Sequence, residues 1–298
     1  MKNQYVGDIG DYGKYALLRA FANAGIKVGV NWYLTEDDGS SDGKFIEYLK
    51  SDELRWRAPE VFDTLRNIAF NKDKSVADIE NSGIIPGAIF FSDVLSPLGT
   101  PSDRGQERNL WFQESIYELS DAELVFMDPD NGLLKDNDPC KRGAEKYVLP
   151  DEVEQYYRAG HNVVYYCHKG RRKIGDWHDY KSYMCKALPD AKSFVLTFHK
   201  GTQRSYVFFL HPEDFKRYNK IVQKFLFNNW YKIFSEEYTE SGDPAEEQIG
   251  EKITIENKNG EELTIYKRAD GWIQVENSAV KNMTKAIRPD VFCDFLWG

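Results

Sequence analysis

Short apolar runs alternate with longer amphipathic segments over most of the chain. The runs have the length of buried strands, and they span residues 27–34, 88–93, 123–127 and 161–167. Apolar residues recur at helical spacing over 12–23, 52–71, 104–119, 151–159, 176–187 and 215–238, with Pro59 breaking or restarting the second segment. Because strands alternate with helices, the pattern predicts an α/β, Rossmann-like fold whose mainly parallel sheet is flanked by helices.

Two further patterns complete the predicted architecture. Apolar runs over 192–199 and 204–210 flank a short Gly-containing loop and predict an antiparallel hairpin at the end of the sheet. After a linker at 241–244, shorter runs near 252–256, 262–266 and 272–275 predict a small C-terminal β-meander, followed by a short helix near 289–296. The sequence therefore predicts a Rossmann-like domain over 1–238 and a β-rich appendage over 245–298.

Composition narrows the class of protein. The chain of 298 residues is 41% hydrophobic and 29% charged, so it can bury a core and stay in solution. A formal net charge of −9 argues against broad binding to a nucleic-acid backbone, although a local basic groove stays compatible with it. None of the four cysteines forms a C-x-x-C pair, which disfavours a zinc knuckle or a thioredoxin-like site. We find neither a signal-peptide pattern nor an apolar run of roughly 18 residues, so we expect a cytoplasmic protein without a membrane partner.

Polar side chains directly follow two of the predicted strands. Asp128, Pro129, Asp130 and Asn131 come after the strand over 123–127, and His168 comes after the strand over 161–167. Ligands of open α/β sheets bind at the carboxyl ends of the strands, so these residues are candidates for catalysis. Two alternatives stay open. The Asp-Pro-Asp-Asn-Gly stretch also suits a simple turn, and a lone His is most often structural.

The opening of the chain is rich in glycine and charge before an apolar helix. Asp8, Asp11 and Lys14 cluster near the predicted helix start, and Asp11 can cap the helix over 12–23. Helix starts favour polar ligands, which makes this cluster a candidate site beside the simpler interpretation of capping. The first strand is followed by an acidic Gly/Ser loop over 35–43, which matches neither the G-x-G-x-x-G nor the P-loop spacing.

Two of these stretches resemble motifs of the adenine-N6 rRNA methyltransferases, which have the class I S-adenosylmethionine-dependent fold. Gly7, Asp8, Asp11 and Lys14-Tyr15 resemble the Gly-Asn, Asp and Leu-Lys-His motif before the first strand of that family. Asp128-Pro129 stands at the place of its Asp-Pro-Pro-Tyr motif. Both stretches, with residues 168–171, also look like an uncharacterised bacterial family. The resemblance covers roughly residues 5–210 and rests on these motifs.

The resemblance implies methyl transfer from S-adenosylmethionine to a nucleobase amine of a nucleotide or nucleic acid. Asp128 and the Pro129 carbonyl would accept hydrogen bonds from the amine and position it, which accounts for much of such catalysis. Asp130 and Asn131 stand where that family has its second Pro and its base-stacking aromatic residue. Cofactor contacts are implied for Asp8, Asp11, Lys14, Thr35, Asp42 and Asp93.

A metal-dependent phosphoesterase or nuclease is the alternative interpretation. In it, the carboxylates converge at the carboxyl edge of the sheet, and oxygen ligands of this kind suit Mg²⁺ or Mn²⁺. The metal ligands would be Asp8, Asp11, Asp128 and Asp130, with Asp42 nearby. Lys146, Arg171 and Arg204 are the candidates for binding phosphate or substrate. A third interpretation is a binding protein of this fold without catalytic activity.

Overall fold

The chain forms two compact units, Met1–Glu240 and Ser241–Gly298. The structure is a computed structural model that describes residues 1–39, 45–96, 99–170, 172–230 and 232–238 of the first unit. In the second unit it describes residues 252–256, 262–267, 273–277 and 284–287. The predicted site residues Asp42 and Arg171 lie outside the described residues.

A mixed seven-stranded sheet forms the centre of the first unit. The described strands of the first unit are β1 (Val28–Asn31), β2 (Ile89–Phe91), β3 (Leu124–Met127), β4 (Gly132–Leu133), β5 (Tyr147–Val148), β6 (Asn162–His168), β7 (Lys192–Phe198), β8 (Arg204–Leu210) and β9 (Phe234–Tyr238). All of them except β4 and β5 belong to the seven-stranded sheet. The sheet order is β2-β1-β3-β6-β8-β7-β9. The first four strands of that order run parallel, whereas β8 is antiparallel to both of its neighbours. The predicted mainly parallel sheet with a terminal hairpin is thus confirmed.

Helices cover both faces of this sheet. They are α1 (Ile9–Asn23), α2 (Pro59–Ala69), α3 (Val76–Asn81), α4 (Pro101–Glu118), α5 (Pro150–Arg158), α6 (Ile174–Lys181) and α7 (Pro212–Phe225). One hydrophobic core lies under α1, α2, α3 and α7, and the other lies under α4, α5 and α6. In β3, Leu124 and Phe126 face the first core while Val125 and Met127 face the second, which explains its unbroken apolar run. Within the described residues, no helix has both the length and the apolar character that a membrane span requires.

The first helix begins earlier than the sequence predicts. It starts at Ile9 and is capped by Asp8, whose carboxylate accepts a hydrogen bond from the Gly10 N–H at 2.8 Å. Asp11, predicted as the cap, lies in the first turn instead, and its carboxylate accepts from the Gly7 N–H at 2.9 Å. The loop folds back onto the helix in this way because Gly7 adopts a φ of 90°, which glycine reaches without strain.

The predicted long helix over 215–238 is wrong in its last third. Helix α7 ends at Phe225, a π-helical turn follows over Leu226–Trp230, and β9 then pairs antiparallel with β7. The short helix α3 and the two-stranded parallel sheet of β4 and β5 were not expected from the pattern either. These elements are short or depend on partners far away in the sequence, so local periodicity does not reveal them.

The second unit contains one strand more than the predicted meander. Its four strands, β10 (Lys252–Glu256), β11 (Glu262–Lys267), β12 (Ile273–Asn277) and β13 (Thr284–Ile287), form an antiparallel sheet in sequence order. Consecutive pairing without a crossover is the expected meander topology. The helix predicted near 289–296 lies outside the described residues.

Candidate functional site

A polar pocket of about 410 Å³ opens at the edge of the sheet where β3 and β6 end and β8 begins. The first turn of α1 forms a further wall. Such an edge is where open α/β sheets bind ligands. The structure brings ten of the predicted site residues to this pocket: Asp8, Asp11, Lys14, Asp128, Pro129, Asp130, Asn131, Lys146, His168 and Arg204.

Lys14 lies at the floor of the pocket between two carboxylates. Its Nζ is 2.8 Å from Asp11 Oδ1 and 2.7 Å from Asp128 Oδ2, and all three side chains are buried. Burial alone would lower the pKa of Lys14, but Asp11 and Asp128 outweigh it and raise that pKa well above its usual value. The ammonium group therefore stays protonated, which makes Lys14 a hydrogen-bond donor and excludes it as a nucleophile.

The turn after β3 is held by backbone contacts as well as by Lys14. The Asp128 N–H donates to the Asn31 carbonyl at 2.9 Å, and the Asn131 N–H donates to the Lys146 carbonyl at 2.9 Å. Burial raises the pKa of the Asp128 carboxyl, and Lys14 opposes that rise. Asp128 is thus a buried, charge-paired residue, and turn chemistry alone does not account for it.

Arg204 closes the pocket over the start of α1. Its guanidinium forms an ion pair with Asp8 Oδ1 and donates to the Thr202 carbonyl at 3.0 Å. Arg204 packs closely on Gly10, because a Cβ at this position would lie 2.3 Å from Arg204 Nε and the guanidinium would have to move. Burial raises the pKa of Asp8, and the neighbouring guanidinium opposes that rise.

Paired strands supply the opposite wall of the pocket. Antiparallel pairing places His168 opposite Arg204 and Tyr166 opposite Tyr206, and all four line the pocket. The sequence analysis missed both tyrosines. The signal was available, because residues two apart in a strand share a face, and Tyr166 and Tyr206 lie two positions from the predicted His168 and Arg204.

Three buried polar atoms of the pocket have neither a hydrogen-bond partner nor an ion-pair partner among the described residues. They are Asp8 Oδ2, His168 Nδ1 and the Tyr206 hydroxyl. Burial, together with the nearby Arg172 and Arg204, lowers the pKa of His168, so its imidazole is neutral near pH 7. Buried polar atoms normally have a partner, so these three atoms are available to hydrogen-bond with water or with a polar ligand in the pocket.

Two aromatic side chains that line the pocket, Tyr5 and Phe45, were also missed by the sequence analysis. Phe45 comes directly after the acidic Gly/Ser loop and is 61% exposed. Nothing in the hydrophobic pattern distinguishes it from an ordinary residue at a loop end.

The metal interpretation finds no support in the described part of the chain. Lys14 lies between Asp11 and Asp128, Arg204 pairs with Asp8, and the amino group of Met1 lies 2.9 Å from Asp130 Oδ1. The four carboxylates thus face protein cations instead of a common point. No group of three or more His, Cys, Asp or Glu side chains among the described residues is arranged to hold a metal ion.

Two of the predicted cofactor contacts are not brought to the pocket. Thr35 is buried beside Met1, whose carbonyl accepts from the Thr35 N–H at 2.9 Å. Asp93 is exposed, and its carbonyl accepts from Trp111 Nε1 at 2.9 Å. Neither is among the described residues that line the pocket.

Comparison with models of protein families gives no match, and a search of curated proteins finds no similar sequence.

Proposed function

We propose that this pocket binds an amine-bearing nucleobase of a nucleotide or nucleic acid, and that the chain is a methyltransferase-like protein acting on that ligand. One observation carries the proposal. The two stretches on which the resemblance rests, residues 7–15 and 128–131, are far apart in sequence, yet Lys14 Nζ lies 2.7 Å from Asp128 Oδ2. Both stretches line the same pocket, and the resemblance implies cofactor contacts for the first stretch and substrate contacts for the second. The hairpin of β7 and β8 at the end of the sheet is a second feature that this family shares.

The hydrogen-bonding groups of the pocket suit an exocyclic amine. Such an amine offers two N–H donors, and two buried atoms without partners among the described residues can accept from it: Asp8 Oδ2, and His168 Nδ1 when the neutral imidazole carries its proton on Nε2. The Tyr206 hydroxyl can donate to a ring nitrogen of the same base. A buried acceptor left facing a carbonyl oxygen would lose its hydrogen bond, so the pocket should discriminate amines from carbonyls.

S-adenosylmethionine does not fit this pocket in the way that the resemblance implies. Asp8, Asp11 and Lys14 line the pocket, but Lys14 is paired with Asp11 and Asp128, and Asp8 Oδ2 is the acceptor that we assign to the base amine. Thr35 and Asp93, implied as further contacts, lie outside the lining, and Asp42 lies outside the described residues. These contacts therefore support no catalytic step through the cofactor, and its binding has to be measured separately.

The test compares nucleosides that differ along one edge of the base. Adenosine carries an exocyclic amine where inosine carries a carbonyl, and the neighbouring ring nitrogen accepts a hydrogen bond in adenosine but carries a proton in inosine. Cytidine and uridine differ in the same way. In calorimetric titrations we expect the wild-type protein to prefer the amine-bearing member of each pair by roughly 5- to 150-fold, the cost of one unsatisfied buried group. Equal affinity within each pair, or no binding of any of the four, would contradict the proposed function.

Asp8→Asn sharpens this test. Asp8 Oδ1 accepts both from the Gly10 N–H and from Arg204, so the side-chain carbonyl of Asn must take that place and its NH₂ group must replace Oδ2. Asn also remains a good helix cap, so folding should survive. We expect the preference to reverse towards inosine and uridine. Asp121→Asn, at an exposed residue paired with Lys27, is the matched control and should leave the preference unchanged.

Titration with S-adenosylmethionine, alone and with adenosine present, decides the class of activity. Binding of the cofactor, with transfer of a labelled methyl group to adenosine, would make the chain a methyltransferase. Nucleoside binding without cofactor binding would instead make it a binding protein of this fold.

A further inference from the structure

We propose that Phe45 stacks on the nucleobase held in this pocket, an inference that rests on the proposed function. The family that the chain resembles places a stacking aromatic residue in its Asp-Pro-Pro-Tyr motif, where this chain has Asn131. An amide has no extended π-face, so the base would lack a stacking partner from this turn. Phe45 would supply that partner from a different element.

The exposure of Phe45 is the first observation behind this inference. Its side chain is 61% exposed, although removal of such a ring from water is favourable. Several large apolar side chains of the described residues are exposed on the surface, but Phe45 is the one among them that lines the pocket. An exposed apolar ring at a pocket with polar groups below it is the arrangement expected for a ring that a ligand covers.

The fixed position of the Phe45 backbone is the second observation. Its carbonyl accepts a hydrogen bond from the Ile9 N–H at 3.1 Å, at the start of α1. Its amide also faces the Asp8 carboxylate and helps to lower the pKa of that group. The backbone of Phe45 is therefore held beside Asp8, whose Oδ2 we assign to the base amine, and both side chains line the same pocket.

The other aromatic residues of the pocket are less suited to stacking. Tyr206 is fully buried in the sheet, and Tyr166 lies beside it with the two ring centroids 6.2 Å apart. Tyr5 has its ring under the Lys2 ammonium, which lies 6.0 Å from the ring centroid. Phe45 is the pocket aromatic whose side chain is mainly open to a ligand.

The test measures adenosine affinity by calorimetry for the wild type, Phe45→Ala, Phe45→Leu and Phe45→Trp. Loss of a base-stacking ring typically weakens binding, so we expect Phe45→Ala to reduce the affinity by roughly 5- to 150-fold. Phe45→Leu keeps apolar volume without a π-face, so its affinity for adenosine should be close to that of Phe45→Ala. Phe45→Trp offers a larger π-face and should bind at least as tightly as the wild type.

Phe70→Ala is the matched control, because Phe70 is 49% exposed and lies outside the pocket lining. It should change neither the adenosine affinity nor the melting temperature. Phe45→Ala should also melt like the wild type, since its ring is mostly exposed. Wild-type affinity in Phe45→Ala would overturn the role of Phe45 and leave the proposed function standing. Failure of the wild type itself to bind any nucleoside would overturn both.

Discussion

The positive charge of Lys14 is balanced by groups of the protein itself. Two carboxylates flank its ammonium group, and the rings of Tyr15 and Trp32 lie 5.0 and 5.5 Å from it. A buried ion pair adds little net stability over apolar packing, but removal of one partner leaves an uncompensated buried charge. Lys14 thus favours the ionised form of the buried Asp128 carboxyl.

Lys14→Met should destabilise the first unit in a pH-dependent way. We expect a loss of about 3–5 kcal/mol in the free energy of unfolding at pH 8, because Asp11 and Asp128 lose their cation. Burial already raises the pKa of Asp128 in the folded protein, and the rise must increase without Lys14. Protonation on acidification then favours the folded state, so the loss should shrink as the pH is lowered towards 5.

Urea unfolding of the variant and the wild type at pH 8 and pH 5 measures this change. Lys27→Met is the control, because Lys27 pairs with Asp121 on the surface, and it should cost less than about 1 kcal/mol at either pH. If Lys14→Met lowered the free energy of unfolding by the same amount at both pH values, no buried carboxylate would depend on Lys14 for its ionisation.

The sequence indicated which residues meet, but not what they do to one another. Asp128 and His168 could be placed at one sheet edge because parallel strands end together. The proximity of Asp11 and Lys14 could be predicted, because residues three apart are neighbours on a helix. The contact of Lys14 with Asp128 could not be read, because it depends on how α1 packs on the sheet. The same contact weakens the metal interpretation, which treated the carboxylates as free ligands.

At the scale of elements, the pocket depends on the close approach of α1 to the end of β7. A Cβ on Gly13 would lie 2.8 Å from the ring of Phe198, so this position leaves no room for a side chain. Gly175 in α6 is also a helical glycine, but a side chain has room there, since a Cβ would meet nothing within 4 Å. Alanine substitutions at the two positions therefore distinguish the effect of helix propensity on stability from the effect of packing.

We expect Gly13→Ala to be less stable than Gly175→Ala by about 1–3 kcal/mol, the usual cost of overpacking. Both variants gain helix propensity of at most about 1 kcal/mol, so Gly175→Ala should equal or exceed the wild type. Chemical denaturation of both proteins measures the difference. If Gly13→Ala were as stable as Gly175→Ala, helix α1 and β7 would not pack as closely as described.

Elements with strong local patterns were predictable, and those made by distant partners were not. The strand β3 and the hairpin of β7 and β8 were read correctly because a fully buried strand and a short Gly loop are local signals. Residues 234–238 continue an amphipathic pattern and were assigned to a helix. They form a strand because β7 offers an open edge for pairing, which no window of the sequence reveals.

At the scale of the whole molecule, the described lining of the pocket comes from the first unit. Every described residue that lines the pocket lies between Met1 and Tyr206, whereas the second unit begins at Ser241. The described residues of the seven-stranded sheet extend to Tyr238, and those of both hydrophobic cores extend to Phe234. The first unit therefore has what it needs to fold and bind a ligand by itself.

Residues 1–240 should fold and bind adenosine as tightly as the full chain does. Limited proteolysis of the full chain should release such a fragment by cutting first near residues 241–247, where the second unit begins with the sequence Ser241-Gly-Asp-Pro244. Calorimetry on residues 1–240 then measures the affinity. Residues 1–210 are the control, since they lack α7, which places Tyr218, Val222 and Phe225 in the first core, and should not fold. A folded 1–240 fragment that has lost adenosine binding would show that the second unit contributes to the site.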